Sequence, residues 1–209
     1  MFLFESIRII DGKVPLLDFH QHRLNLSYSA IFKKVNSHNL KECIEPFLKK
    51  HVTQKCRFIY NDRAYRIEII DYQLIEPKRI GWLRIDPNFD YSFKFLERDF
   101  FNKVREVYSD YDEIILVQNN QITDSTYCNL VVYLDGQWTL PKSYLLNGVE
   151  RSRIISKYNF TIKPVSIDKF LSAKEYKLIN SMRPFELVEA INPCETVYLG
   201  DFYFNDMLI

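Results

Sequence analysis

Apolar residues alternate from Phe2 to Ile10, Asp11-Gly12 breaks the run, and Val14 to Leu17 takes it up again. That is the pattern of a strand, a turn and a returning strand. Asp18 stands where a helix N-cap would, and Leu24, Ser27, Tyr28, Ile31 and Val35 recur at helical spacing, so a helix is expected through Val35. Leu40 to His51 reads as a second helix, with Cys43, Ile44, Phe47 and Leu48 on one face. Cys56 to Tyr60, Ala64 to Tyr72 and Ile80 to Ile85 read as strands, the first two joined by a turn at Asn61-Asp62. Asp86-Pro87-Asn88 is the strongest break in the chain. It divides an expected small α/β domain, residues 1–86, from a larger one, residues 87–209.

The larger part opens with an aromatic run around Lys94 (Tyr91, Phe93, Phe95), then a helix from Arg98 to Ser109 with Phe101, Val104 and Tyr108 as its apolar stripe. If the run is a strand, alternation sets Lys94 on the face opposite Phe93 and Phe95. Ile114 to Val117 and Leu130 to Leu134 are apolar runs of strand length, followed by turn signals at Asn119-Asn120 and Asp135-Gly136. Between these strands lie Asp124, Ser125, Thr126, Tyr127, Cys128 and Asn129. A core has no need of such a polar block, because buried polar groups are costly unless paired. It is either an ordinary polar loop or a site. Gly148-Val149-Glu150-Arg151 opens a helix reaching about Tyr158, and a Gly at a helix start lets backbone N–H groups approach an anion. Strands are expected at Phe160 to Val165, Glu175 to Ser181 and within Cys194 to Tyr203, with a short helix at Ile167 to Ala173. The fold class is mixed α/β of the α+β kind.

At 209 residues, with 47% hydrophobic and 26% charged residues, the chain can bury a globular core. Its net charge of +1 gives no electrostatic case for nucleic acid or an anionic membrane. No apolar run approaches the roughly 20 residues of a spanning helix, and the charged start MFLFESIRII does not read as a signal peptide. Cys43, Cys56, Cys128 and Cys194 have no paired spacing and read as free thiols of a cytoplasmic protein. His20 and His22 lie two apart on an expected helix and point to different faces, so no metal site is expected.

Four blocks stand in order: FESIRIIDGKVPLLDFHQHRLNLS, then Lys94-Phe95-Leu96-Glu97-Arg98, then ITDSTYCNL, then LLNGVER. Together they resemble the class IV aminotransferase family. These are fold-type IV enzymes that use pyridoxal 5′-phosphate (PLP), among them branched-chain and D-amino-acid aminotransferases and 4-amino-4-deoxychorismate lyase. The resemblance covers nearly the whole chain. It implies the two-domain architecture of the D-amino-acid aminotransferase-like fold, with a shortened N-terminus. The family's initial strands, before its Phe-Glu run, have no counterpart ahead of Phe4-Glu5-Ser6.

By the same resemblance, Lys94 matches the lysine that bonds the cofactor aldehyde and then moves protons. Read by itself it is a strand Lys facing solvent. Arg23, in His20-Gln21-His22-Arg23-Leu24, matches the arginine that holds the cofactor phosphate, for which an Arg fork is suited. Read alone it is a surface Arg with a packed stem. Asp124 takes the place of the family's Glu, which pairs with the pyridinium nitrogen, and its stem is one methylene shorter. Asn129 completes that segment. Val149 and Glu150 match the phosphate-binding N–H groups, and Asn180-Ser181-Met182 resembles a phosphate turn in which Ser181 donates its hydroxyl and Met182 takes part. Leu187-Val188 replaces the family's Pro-Val. The closest likeness within the family is to 4-amino-4-deoxychorismate lyase, which eliminates pyruvate and leaves p-aminobenzoate for folate synthesis. The alternatives are an aminotransferase of small, branched-chain or D-amino acids, and a non-catalytic truncated relative. Arg66 or Arg8 could meet a substrate carboxylate. A homodimer acting on a small molecule is expected.

Overall fold

A computed structural model describes residues 1–203 and divides the chain into two compact units. The first is Met1–Leu74 with Phe93–Glu97; the second is Ile75–Ser92 with the chain from Arg98 onward. The break expected at Asp86-Pro87-Asn88 therefore falls inside the second unit. Pairing explains the shift. The strand before that Pro lies in register beside the strand at Glu113–Gln118, and Gln118 Nε2 donates to the carbonyls of Asp86 and Phe89 at 3.0 and 2.9 Å. A turn signal marks a bend in the chain, and this bend is bound to the larger sheet.

In the first unit, β1 (Leu3–Ile10), β2 (Thr53–Tyr60) and β3 (Tyr65–Asp71) form an antiparallel sheet in that order. Helices α1 (Leu17–Phe32) and α2 (Leu40–Ile44) belong to the same unit. Leu3, Ile7 and Ile9 of β1 cluster with Cys56, Phe58 and Tyr60 of β2, and with Leu24, Tyr28, Leu40 and Ile44 of the helices. Alternation places Glu5 on the same face of β1 as these apolar residues.

Several expected boundaries move for local reasons. Val14 to Leu17 forms no strand; the returning chain makes a single bridge, Ile10 to Lys13, and Pro15 precedes the helix. Leu16, not Asp18, is the N-cap of α1, and Asp18 lies in the first turn. The helix stops at Phe32 because Lys33 turns left-handed, which leaves Val35 92% exposed rather than in the core. Pro46 cuts the second helix short and sends Glu45–Phe47 into a 3-10 turn.

The second unit holds β4 (Ile80–Ile85), α3 (Asp99–Val107), β5 (Glu113–Gln118), β6 (Gln121–Ser125), β7 (Asn129–Leu134), β8 (Gln137–Pro141), α4 (Val149–Lys157), β9 (Thr161–Lys163), α5 (Ile167–Leu171), β10 (Glu175–Ile179) and β11 (Val197–Phe202). Its strands make an eight-stranded sheet ordered β11-β4-β5-β6-β7-β8-β9, with β10 paired to β7. The pairs β11–β4, β4–β5 and β8–β9 are parallel and the rest antiparallel. Trp82, Ile115, Val117, Leu130, Val132, Phe170, Tyr176 and Leu178 lie in its core. Only the middle of the polar block from Asp124, Thr126 to Cys128, is a loop between strands. Asp124 and Ser125 end β6, Asn129 begins β7, and Asp124 pairs with Asn129 across that narrow connection.

Candidate functional site

Glu5 of β1 is 1% exposed, and α1 brings two partners to it one turn apart. His20 Nδ1 lies 2.6 Å from Glu5 Oε2. Arg23 forks onto the same carboxylate, Nε to Oε1 at 2.9 Å and a terminal nitrogen to Oε2 at 2.5 Å. Burial opposes charge on Glu5, but the guanidinium and the imidazole outweigh it and hold the carboxyl down at about 2. Burial moves His20 the other way, lowering its pKa against the pull of Glu5, so the imidazole is neutral near pH 7. The fork on Glu5 fixes Arg23 in place and leaves the guanidinium with donors beyond those spent on Glu5.

Lys94 lies in the first unit too, in an irregular segment rather than a strand. Phe4 N donates to Lys94 O at 3.0 Å, Phe95 bridges to Leu3, and Phe93 and Phe95 pack on the first core. The Lys94 ammonium lies 4.7 Å from the centre of the Phe4 ring, and its charge contributes to lowering the His20 pKa.

In the second unit the other candidates are knitted into one framework. Asp124 is buried; its Oδ1 accepts from Asn129 Nδ2 at 2.7 Å and its Oδ2 from the N–H groups of Leu145 and Leu146 at 3.2 and 2.8 Å. Asn129 Nδ2 also donates to Leu146 O at 2.9 Å. Burial pushes the Asp124 carboxyl up to about 7 despite these three bonds. Gly148, the N-cap of α4, lies against Asn129: a Cβ there would meet Asn129 Oδ1 at 2.0 Å. No side chain caps the start of α4, so the first N–H groups of the helix, those of Val149 and Glu150 among them, form an uncapped donor cluster at its positive end.

The Glu150 side chain is fully buried and bound to Arg153 at 2.8 and 2.6 Å, and it accepts from Phe185 N at 2.8 Å. This bond ties α4 to the chain just beyond Ser181 and Met182, both buried. Asn180 to Arg183 is a tight turn closed by reciprocal backbone bonds of 3.1 and 2.9 Å. Inside it, Met182 N–H is committed to Asn180 Oδ1 at 2.8 Å, so that amide serves the turn. Asn180 Nδ2 reaches back to Tyr127 O at 3.1 Å and to Cys128 Sγ at 3.2 Å, between Asp124 and Asn129.

The sequence reading gave no role to Glu5, His20, Glu113, Arg151 or Arg183. Glu113 is buried under Thr126 and Cys128, and burial raises its pKa. Arg151 is buried against the Tyr144 ring, 4.3 Å away, and donates to Pro141 O at 3.2 Å. Arg183 bonds Leu178 O at 3.3 Å, Ile75 O at 2.5 Å and the Glu76 carboxylate. A signal for Glu5 was available: it falls at a core-facing position of an alternating strand, where an unpaired acid would be costly. Among the described residues, no group of His, Cys, Asp and Glu is placed to hold a metal, and no helix is long and apolar enough to cross a membrane.

Residues 82–191, just over half of the chain, match the family described as amino-transferase class IV. The chain belongs to that family. This class IV member is 26% identical over 183 residues to an uncharacterized protein of Haemophilus influenzae, covering 86% of this chain and 97% of that one. Its fold matches a protein of Haemophilus somnus 129PT, provisionally assigned as a 4-amino-4-deoxychorismate lyase, with TM-score 0.81 and 25% identity over 88% of this chain and 97% of the other. A hypothetical aminotransferase from Mycobacterium tuberculosis, in its PLP-bound form, shares the fold at TM-score 0.71 and 13% identity, over 95% of this chain and 81% of that one. The mixed α/β, fold-type IV architecture is thus shown.

Proposed function

We propose that this class IV family member binds PLP and acts as a lyase of the 4-amino-4-deoxychorismate type, releasing pyruvate and p-aminobenzoate. The observation that carries the cofactor reading is Asp124. It is a buried carboxylate raised to about 7, and each of its oxygens is anchored by N–H donors. Oδ1, which accepts from Asn129 Nδ2, keeps further acceptor capacity. A protonated ring nitrogen is the partner that such a group favours. The uncapped start of α4 supplies the complementary end, because backbone N–H groups at a helix N-terminus suit a phosphate. In this reading Asp124 and Asn129 hold the ring, and Val149, Glu150, Ser181, Met182 and Arg23 hold or frame the phosphate. Lys94 would stand at the aldehyde end of the cofactor and would take up the substrate α-proton. Bound PLP supplies an electron-accepting ring that acidifies that proton. Glu5 orients Arg23 through its two-point contact. The choice of lyase rests on the likeness to the Haemophilus somnus protein over 97% of its length. The family name itself supports an aminotransferase as the second reading. The reading includes a homodimer of a cytoplasmic enzyme in folate synthesis.

The test is the visible spectrum of the purified chain with added PLP, beside Lys94→Ala. A yellow band in the wild type that borohydride fixes to Lys94, and that the variant lacks, is expected. A colourless protein that takes up no PLP sinks the reading. With the band in hand, p-aminobenzoate release is measured beside amino transfer to 2-oxoglutarate. Amino transfer without lyase turnover would favour the aminotransferase.

A further inference from the structure

A hollow of about 370 Å³ opens in the second unit where the β7–β8 turn, the end of β9, α5 and the connection from α5 to β10 meet. Three of these pieces each bring one lysine to it: Lys163 from β9, Lys169 from α5 and Lys174 from the connection. The turn brings one acid, Asp135. Lys163 Nζ donates to Asp135 Oδ2 at 2.8 Å. That bond and the charge of Lys163, with Lys169 adding to them, hold the Asp135 carboxyl below its ordinary value of 3.8. Among the described residues Lys169 and Lys174 make no ion pair. The Lys174 ammonium lies 5.4 Å from the centre of the Tyr133 ring. Positive charge in the hollow thus exceeds negative by two.

A single exposed lysine extends into water and needs no explanation. Here three are gathered by elements that cannot move apart. Lys163 pairs with Pro141 across the β8–β9 ladder, and Lys142 N donates to its carbonyl at 2.9 Å. Lys169 is carried by a helix that buries Ile167 and Phe170. Lys174 directly precedes Glu175, which pairs with Tyr133. Gathering like charges in a concavity is repulsive, and low-dielectric walls concentrate their field on an incoming anion. Leu134 and Ala173, each 8% exposed, supply apolar wall. The carbonyl end of α5 does not oppose an anion strongly, because Phe170 O accepts from Ala173 N at 3.0 Å and Lys169 O from Ser172 Oγ at 3.1 Å. The donor set selects among anions. No arginine fork is present for a planar carboxylate; compact ammonium charges suit a phosphoryl dianion. The volume exceeds what the ion alone needs and lies in the range of small-molecule sites.

We infer that this hollow binds a small phosphate ester, its phosphoryl group held by Lys169 and Lys174 and its organic part lying against Tyr133, Leu134 and Ala173. None of the residues assigned to PLP lines it, so the inference goes beyond the cofactor reading and stands or falls apart from it. The test is calorimetric titration of the full chain at low salt with glucose 6-phosphate, beside inorganic phosphate, glucose and citrate. Glucose 6-phosphate is expected to bind saturably, inorganic phosphate and citrate more weakly, and glucose not at all. Lys169→Gln with Lys174→Gln should weaken binding of the ester at least about tenfold. Asp135→Asn should do the opposite and tighten it about threefold, because it removes the one negative charge and releases Lys163 to the ligand. Asn accepts the left-handed backbone of that position, φ 52°, so the turn is kept. A general loss of structure could not produce a gain. Absence of saturable ester binding would overturn the inference. So would a double lysine variant that binds as tightly as wild type, an Asp135→Asn variant that binds no better, or inorganic phosphate or citrate that binds as tightly as the ester.

Discussion

Gly148 has no room for a side chain. An added Cβ would lie 2.0 Å from Asn129 Oδ1, an atom held because Asn129 is bound to Asp124 and to Leu146 O. Gly148→Ala should therefore cost about 1–3 kcal/mol in urea unfolding, the usual range for overpacking. Asn129→Ala removes the obstacle along with the latch. The double variant should then be little worse than Asn129→Ala alone, and simple addition of the two losses would show that the contact is not the cause. The second buried knot, Glu5 with His20 and Arg23, makes a prediction of opposite character. Glu5 is held down at about 2, so its contribution is complete above its ordinary value of 4.5 and is lost as pH falls from there through 2. Glu5→Gln strands the Arg23 guanidinium and should cost about 3–5 kcal/mol at neutral pH. Acid titration of stability should show wild type losing its advantage over the variant between pH 4.5 and 2; an undiminished gap at pH 2 would contradict the assignment.

At the scale of elements, two hairpins rest on turns with positive φ at both central residues: Asn119 and Asn120 at 52° and 60°, Asp135 and Gly136 at 52° and 80°. That is the handedness a tight hairpin needs. Asn120 O also accepts from Ile167 N at 3.1 Å, so the first turn positions α5. Asn120→Val should cost about 1–2 kcal/mol because a branched side chain resists φ > 0, whereas Asn120→Gly should be neutral or stabilising; equal losses in thermal melts would remove the conformational explanation. These turns were legible because a short chemical signal sets a local angle. The strands β4, β5 and β7 were legible for a similar reason: Ile80–Ile85 is bounded as the apolar run implied. What the pattern did not show was association. Lys94 reads as a strand residue by its flanking aromatics, yet Phe93 and Phe95 are held by β1 and the first core rather than by a ladder of their own. Asp86-Pro87-Asn88 reads as a boundary, yet Gln118 binds the carbonyls on both sides of it. The framework around Asp124 was legible only through family resemblance, because its bonds reach Leu145 and Leu146, about twenty residues away in sequence.

For the molecule as a whole, the buried carboxylates of the two units pull its pH dependence in opposite directions. Glu5 favours the folded chain as pH rises out of the acid range. Asp124 does the reverse: its folded value of about 7 lies above the ordinary 3.8, so the unfolded chain gives up the proton first. Stability therefore falls as pH rises between those values, by a few kcal/mol at most. Glu113, raised by burial in the same unit, adds to that slope. Without cofactor, the melting temperature should decline from about pH 5 to pH 8, and Asp124→Asn should flatten most of that decline. A positively charged ring nitrogen against Asp124 would lower its pKa and flatten the slope in wild type in the same way. Saturating PLP is thus expected to raise the melting temperature more at pH 8 than at pH 5, and to lose that pH bias in Asp124→Asn. PLP that stabilises wild type equally at both pH values would mean that its ring does not face Asp124, while leaving the helix α4 terminus and Lys94 as its anchors.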